Sequence, residues 1–64
     1  MISINVLVPY EERIDIDVRQ SDTFRIISSA KNRETLSRLF VIETTEEEAT
    51  FLTLRYGKEN VWKR

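Results

Sequence analysis

Apolar and polar positions alternate in two stretches near the start of the chain. Residues 2–8 (ISINVLV) place Ile2, Ile4, Val6 and Val8 on one side, and residues 13–19 (RIDIDVR) place Ile14, Ile16 and Val18 on one side. Period-two alternation of this length reads as two half-buried strands. Pro9-Tyr10-Glu11-Glu12 lies between them as a turn, since Pro9 cannot donate to a ladder. Both apolar sets are even-numbered, and residues directly opposite in an antiparallel pair share a face. A loop of odd length with a bulge therefore preserves both faces. The expected hairpin has a wet side carrying Ser3, Asn5, Asp15, Asp17 and Arg19.

Residues 20–35 admit two readings. Ser21, Asp22 and Thr23 are turn or N-cap residues. A following helix places Phe24, Ile27 and Ala30 on one side, whereas a strand places Phe24 and Ile26 together. Lys31-Asn32-Arg33-Glu34 reads as a polar loop either way. Residues 37–43 (SRLFVIE) form a short apolar run with charges at its edges, a third strand.

Thr45-Glu46-Glu47-Glu48 is a capping box with three carboxylates in the first turn, where the helix dipole favours them. Gly57 stands where the residue after a helix belongs. These end signals predict a helix over 46–56. Its interior has Ala49, Leu52 and Tyr56 on one side, with Phe51 and Leu54 pointing elsewhere. The same residues also alternate as a strand, Leu52, Leu54 and Tyr56 sharing a side, but the TEEEA segment before them lacks the usual residues of a hairpin turn. A helix with two apolar sides needs two covers. The expected fold is α+β: a hairpin of strands 2–8 and 13–19, a third strand at 37–43, and a C-terminal helix packed on them, in a single domain over 1–64.

The strand-turn-strand followed by Ser21-Asp22-Thr23-Phe24 resembles the opening of ubiquitin-like β-grasp proteins, over about half the chain. The resemblance implies an alternative fold, a compact ββαββ with a helix over about 22–31 and a last strand within 49–57. The chain has no Gly-Gly tail, so a conjugation role is not implied.

With 64 residues, a single small core is all the chain can build. Such domains lean on a staple, a metal or a partner. There is no Cys and no His, which removes disulfides, thiol chemistry, the common zinc ligand and every His-dependent nucleophile arrangement. The carboxylate groups at Asp15-x-Asp17, Glu11-Glu12 and Glu46-Glu47-Glu48 read as solvated faces and a helix start, not as tuned acids or a metal site. With one glycine, there is no phosphate-binding glycine loop. We expect no enzyme activity, no cofactor and no metal.

The charged share of 33% beside an apolar share of 41% fits a folded soluble chain. No apolar run approaches the roughly 20 residues of a membrane span. Met1-Ile2-Ser3-Ile4 lacks a basic n-region and a long apolar stretch, so the expected location is the cytoplasm, with no membrane partner.

The remaining binding candidate is the C-terminal surface. Arg55, Tyr56, Lys58, Trp62, Lys63 and Arg64 mix cations with aromatics, and Phe51 and Leu54 add unspent apolar area. Arg, Tyr and Trp are the residues enriched in interface hot spots. This points to a small protein-binding or regulatory accessory module, of the size common in bacteria and phages, that pairs with itself as a homodimer or with another protein. The alternative is association with nucleic acid through stacking and phosphate contact. A net charge of −1 argues against that alternative.

Overall fold

The computed structural model describes residues 1–64. It is an α+β domain with four antiparallel strands and two helices. The elements are β1 (Ile2–Pro9), a 3-10 turn (Tyr10–Glu12), α1 (Arg13–Asp17), β2 (Phe24–Asn32), β3 (Ser37–Thr44), α2 (Glu46–Tyr56) and β4 (Val61–Lys63). The sheet order is β2-β3-β1-β4. β1 and β2 flank β3, and β3 and β4 flank β1. The chain is thus two interleaved split βαβ units, with α1 and α2 as the crossovers.

The expected first hairpin does not form. Residues 13–17 are one short helix, not a strand. β1 pairs with β3 along its whole length, from Ile2↔Thr44 to Pro9↔Ser37, and with β4 on its other edge. Neither edge of β1 is left for residues 13–19. The sequence RIDIDV serves a single helical turn as well as a strand, because only one apolar residue must point inward. Ile16 is fully buried, whereas Ile14 and Val18 are 57% and 74% exposed. Asp15 and Asp17 lie on α1 and not on a sheet face with Ser3 and Asn5.

The β-grasp alternative, with a helix over 22–31, is also overturned. Phe24–Asn32 is a strand in register with β3, from Phe24↔Thr44 to Asn32↔Ser37, with a bulge at Ile27. The β-branched pair Ile26-Ile27 and the polar pair Ser28-Ser29 both favour this state. Lys31 and Asn32 belong to the strand, so the turn is residues 33–36 and not the 31–34 loop expected. The Asn32 side chain nucleates it, accepting from the backbone N–H of Glu34 (3.0 Å) and Thr35 (3.3 Å).

The expected third strand and the 46–56 helix are both present. The alternative of a last strand within 49–57 is not: the closing strand is 61–63. The Thr45 side chain accepts from the Glu48 N–H at 3.2 Å, and Gly57 closes the helix at φ 93°, in the region that favours glycine. Asn60 Nδ2 donates to the Tyr56 carbonyl at 2.8 Å and satisfies one more helix-end acceptor.

One face of the sheet carries the core. Ile4, Val6 and Val8 of β1 meet Phe40 and Ile42 of β3, with Phe24 and Val61 from the outer strands. Ile16 from α1 and Ala49 and Leu52 from α2 close over them. Thr44 is fully buried among these residues, its hydroxyl donating to the Thr23 carbonyl at 2.7 Å. That bond anchors the entry to β2.

Leu36 is the one non-glycine residue with positive φ, at 51°. Its carbonyl accepts from the Tyr10 N–H at 2.9 Å, which fixes the turn after β1 against the β2–β3 turn. A leucine in this region is strained by about 1 kcal/mol, and its side chain is 70% exposed. Leu36→Gly is therefore expected to raise stability by about 0.5–1 kcal/mol in urea unfolding. A loss of stability would mean that the Leu36 side chain holds the Tyr10 turn in place.

Candidate interaction surfaces

The helices cover one side of the sheet only. On the other side, register places Trp62 beside Asn5 and Asn5 beside Val41, then Leu7 beside Leu39 and Leu39 beside Ala30. All four strands therefore contribute apolar groups to the open face. Trp62, Leu7, Leu39 and Ala30 line one shallow groove across it, with Lys31, Asn32, Arg33 and Glu34 at its end. Trp62 is 43% exposed, and Leu7, Leu39 and Val41 are half-buried. Toward the far end Arg25 and Glu43 pair at 3.8 Å.

The predicted C-terminal surface is split by this geometry. Phe51, Leu54 and Arg55 lie on α2, on the opposite side of the sheet from Trp62. Phe51 is 44% exposed with the Arg19 guanidinium 4.3 Å above its ring, and Leu54 is 82% exposed. Tyr56 is half-buried and packs against the core, as a residue finishing a small core does. Lys63 alternates to the helix side and reaches Glu46 at 3.2 Å. Lys58 and Arg64 are exposed, and the Arg64 N–H donates to the Ser3 carbonyl at 3.0 Å, continuing β4 along β1. The cations and the tryptophan expected to act together thus point to different surfaces.

Arg55 is a tether between the helices. Its guanidinium meets Asp15 at 2.9 Å and Glu12 at 3.5 Å, and its Nε donates to the Tyr56 hydroxyl at 3.3 Å. The Tyr56 hydrogen bond first, and then Asp15, raise its pKa further above an already high value. An arginine is charged throughout the physiological range, so this changes geometry and not protonation. Arg19 does the same at the other end, pairing with Glu48 at 3.5 Å.

A second group of cations draws on the basic residues Arg25, Lys31, Arg33 and Arg38 and adds Arg13 from α1. Tyr10 packs between β2 and α1 with Arg13 Cζ 4.2 Å and Lys31 Nζ 4.5 Å from its ring centroid. Lys31 stands directly opposite Arg38 in the β2–β3 ladder.

Sequence reasoning missed the open apolar face, although a signal for it exists. In β3, Phe40 and Ile42 alternate with Leu39 and Val41, so both sides of that strand are apolar. In β1, Leu7 breaks an otherwise polar outer side. No helix is long and apolar enough to cross a membrane. Comparison with protein-family models, with curated proteins and with solved structures finds no match.

Proposed function

We propose that this chain is a small, non-enzymatic protein-interaction module, accessory or regulatory in role, that pairs with a second copy of itself through the open face of its sheet. The observation that carries the reading is the apolar groove of Leu7, Leu39, Ala30 and Trp62 on a sheet whose helices cover only the other side. A sheet face of this composition is stabilised when a second layer covers it. Two such faces pack at about 10 Å with their strands roughly aligned.

A second copy is favoured by charge. The rim carries Arg25 with Glu43 at one end and Lys31, Arg33 and Glu34 at the other. Both signs are present, so a two-fold axis can set carboxylates against cations. A net charge of −1 per chain opposes pairing only weakly. A domain with so small a core also gains stability from a partner. The non-enzymatic part of the reading rests on the lack of His and Cys and on carboxylates that are exposed or paired with Arg and Lys.

Light scattering on a gel-filtration column, over a wide concentration range, tests this. The expected mass is twice that of one chain. Trp62→Ala should weaken pairing at least ~30-fold, the usual size of a hot-spot loss, and Leu39→Glu should abolish it. Phe51→Glu on the helical side should leave the dimer intact. A wild-type monomer at all concentrations would end the proposal. So would a dimer that Phe51→Glu disrupts and Leu39→Glu does not.

A further inference from the structure

On the helix side of the sheet, α1 is only five residues long and does not reach the far end of the β2–β3 hairpin. The shelf it leaves uncovered is polar. Ser29 opposes Phe40, and Lys31 opposes Arg38, on the side that faces the helices. Tyr10, held by its bond to Leu36, covers the end of this shelf and brings Arg13 to it.

Two cations lie against one ring, and a third stands beside one of them in the ladder. Arg13 and Lys31 both lie against Tyr10, and Lys31 and Arg38 are direct cross-strand neighbours. Like charges in that position destabilise a sheet. Four of the ten cations, Arg19, Arg25, Arg55 and Lys63, have a carboxylate within 4.0 Å. Arg13, Lys31 and Arg38 have none. Glu12 and Glu34, the carboxylates closest in sequence, pair with none of the three.

Two of these cations are also held in place. Arg38 donates from Nε (3.3 Å) and Nη2 (3.0 Å) to the Ser29 hydroxyl, and Arg13 Nη1 donates to the Tyr10 carbonyl at 2.9 Å. Neither bond supplies a negative charge. Both leave guanidinium donors free, and the Lys31 ammonium has no hydrogen-bond partner. Fixed guanidinium groups with spare donors beside an ammonium are the chemistry that recognises a phosphoryl group.

From this juxtaposition we infer that Arg13 and Lys31, both against Tyr10, and Arg38, opposite Lys31 in the ladder, form a binding site for a phosphoryl dianion, either inorganic phosphate or the terminal group of a small phosphomonoester. Lys31 also lines the end of the groove proposed for self-association, whereas Arg13 and Arg38 do not, so Arg38→Gln tests the anion site apart from the groove. The bound dianion supplies the counter-charge that the Lys31–Arg38 pair lacks.

The test is a titration of the full chain with sodium phosphate at constant ionic strength, followed by amide and arginine side-chain NMR. Saturable shifts are expected at Tyr10, Lys31, Arg38 and the Arg13 guanidinium. Arg38→Gln and Lys31→Gln should each weaken binding about tenfold or more, as expected for loss of a charge-assisted contact. Both variants should stay folded, because each removes a like-charge neighbour. Phenyl phosphate, a monoester, should compete with phosphate for the same site. Identical shifts with sodium chloride alone would overturn the inference, because screening would then account for them. Arg38→Gln binding as tightly as the wild type would overturn it too. So would equal binding of a dinucleotide phosphodiester, which would mark a general polyanion surface.

Discussion

Leu52→Ala is expected to leave much of the protein unfolded at room temperature, while Leu54→Ala, two residues along the same helix, changes stability by no more than about 0.5 kcal/mol. Leu52 is fully buried between α2 and the sheet, and Leu54 is 82% exposed. Truncating a buried leucine costs about 2–5 kcal/mol, part transfer free energy and part cavity. Stability of roughly 0.05–0.15 kcal/mol per residue gives a chain of 64 residues only about 3–10 kcal/mol in all. Ten apolar residues make up the buried core, so few neighbours can relax into the space. In urea, Leu52→Ala should lower the midpoint sharply with the slope unchanged. Equal losses at both positions would mean that α2 packs on the sheet with a different side.

The second large effect concerns the segment whose state the alternation pattern misassigns. Ile16→Asp is expected to destabilise the fold by about 4 kcal/mol or more. It removes an apolar side chain worth about 1.5–3 kcal/mol of burial and places a carboxyl where no partner is available. Ile14→Asp and Val18→Asp should each cost less than about 0.5 kcal/mol, because both side chains already stand in water. A strand over 13–19 predicts the opposite pattern, with all three residues on one buried stripe. Thermal unfolding of the three variants by circular dichroism separates the two. Similar losses at 14, 16 and 18 would restore the strand.

The contrast at Ile16 also marks where local information stops. β1 and β3 are legible because their alternation leaves little choice, and α2 is legible because its ends are local. Thr45 reaches a backbone N–H three residues on, and Gly57 supplies a φ of 93° that other residues resist. Those interactions lie within a few residues of one another, so they appear in the sequence even where the hydrophobic pattern of α2 is ambiguous.

Residues 13–17 and 24–32 depend on something else. Whether RIDIDV extends or coils turns on whether β1 has a free edge, and both edges are filled by strands from later in the chain. Phe24–Asn32 becomes a strand because β3 offers the edge that β1 does not take. Strand pairing is a non-local choice, and no property of the paired segment alone announces its partner.

The candidate surfaces divide in the same way. The sequence by itself determined that this is an α+β chain without His or Cys, that Glu46–Tyr56 is capped at both ends, and that apolar groups exceed what one small core can hide. Only the tertiary structure decided where the excess goes. Phe51 and Trp62 are near one another along the chain, yet the sheet stands between them, because a helix and a strand present their side chains with different periods. Lys31 and Arg38 are seven positions apart in a basic stretch, and the β2–β3 register makes them direct neighbours. Tyr10 and Arg13 join them because the turn after β1 docks on the turn before β3, a contact that Leu36 secures through its carbonyl.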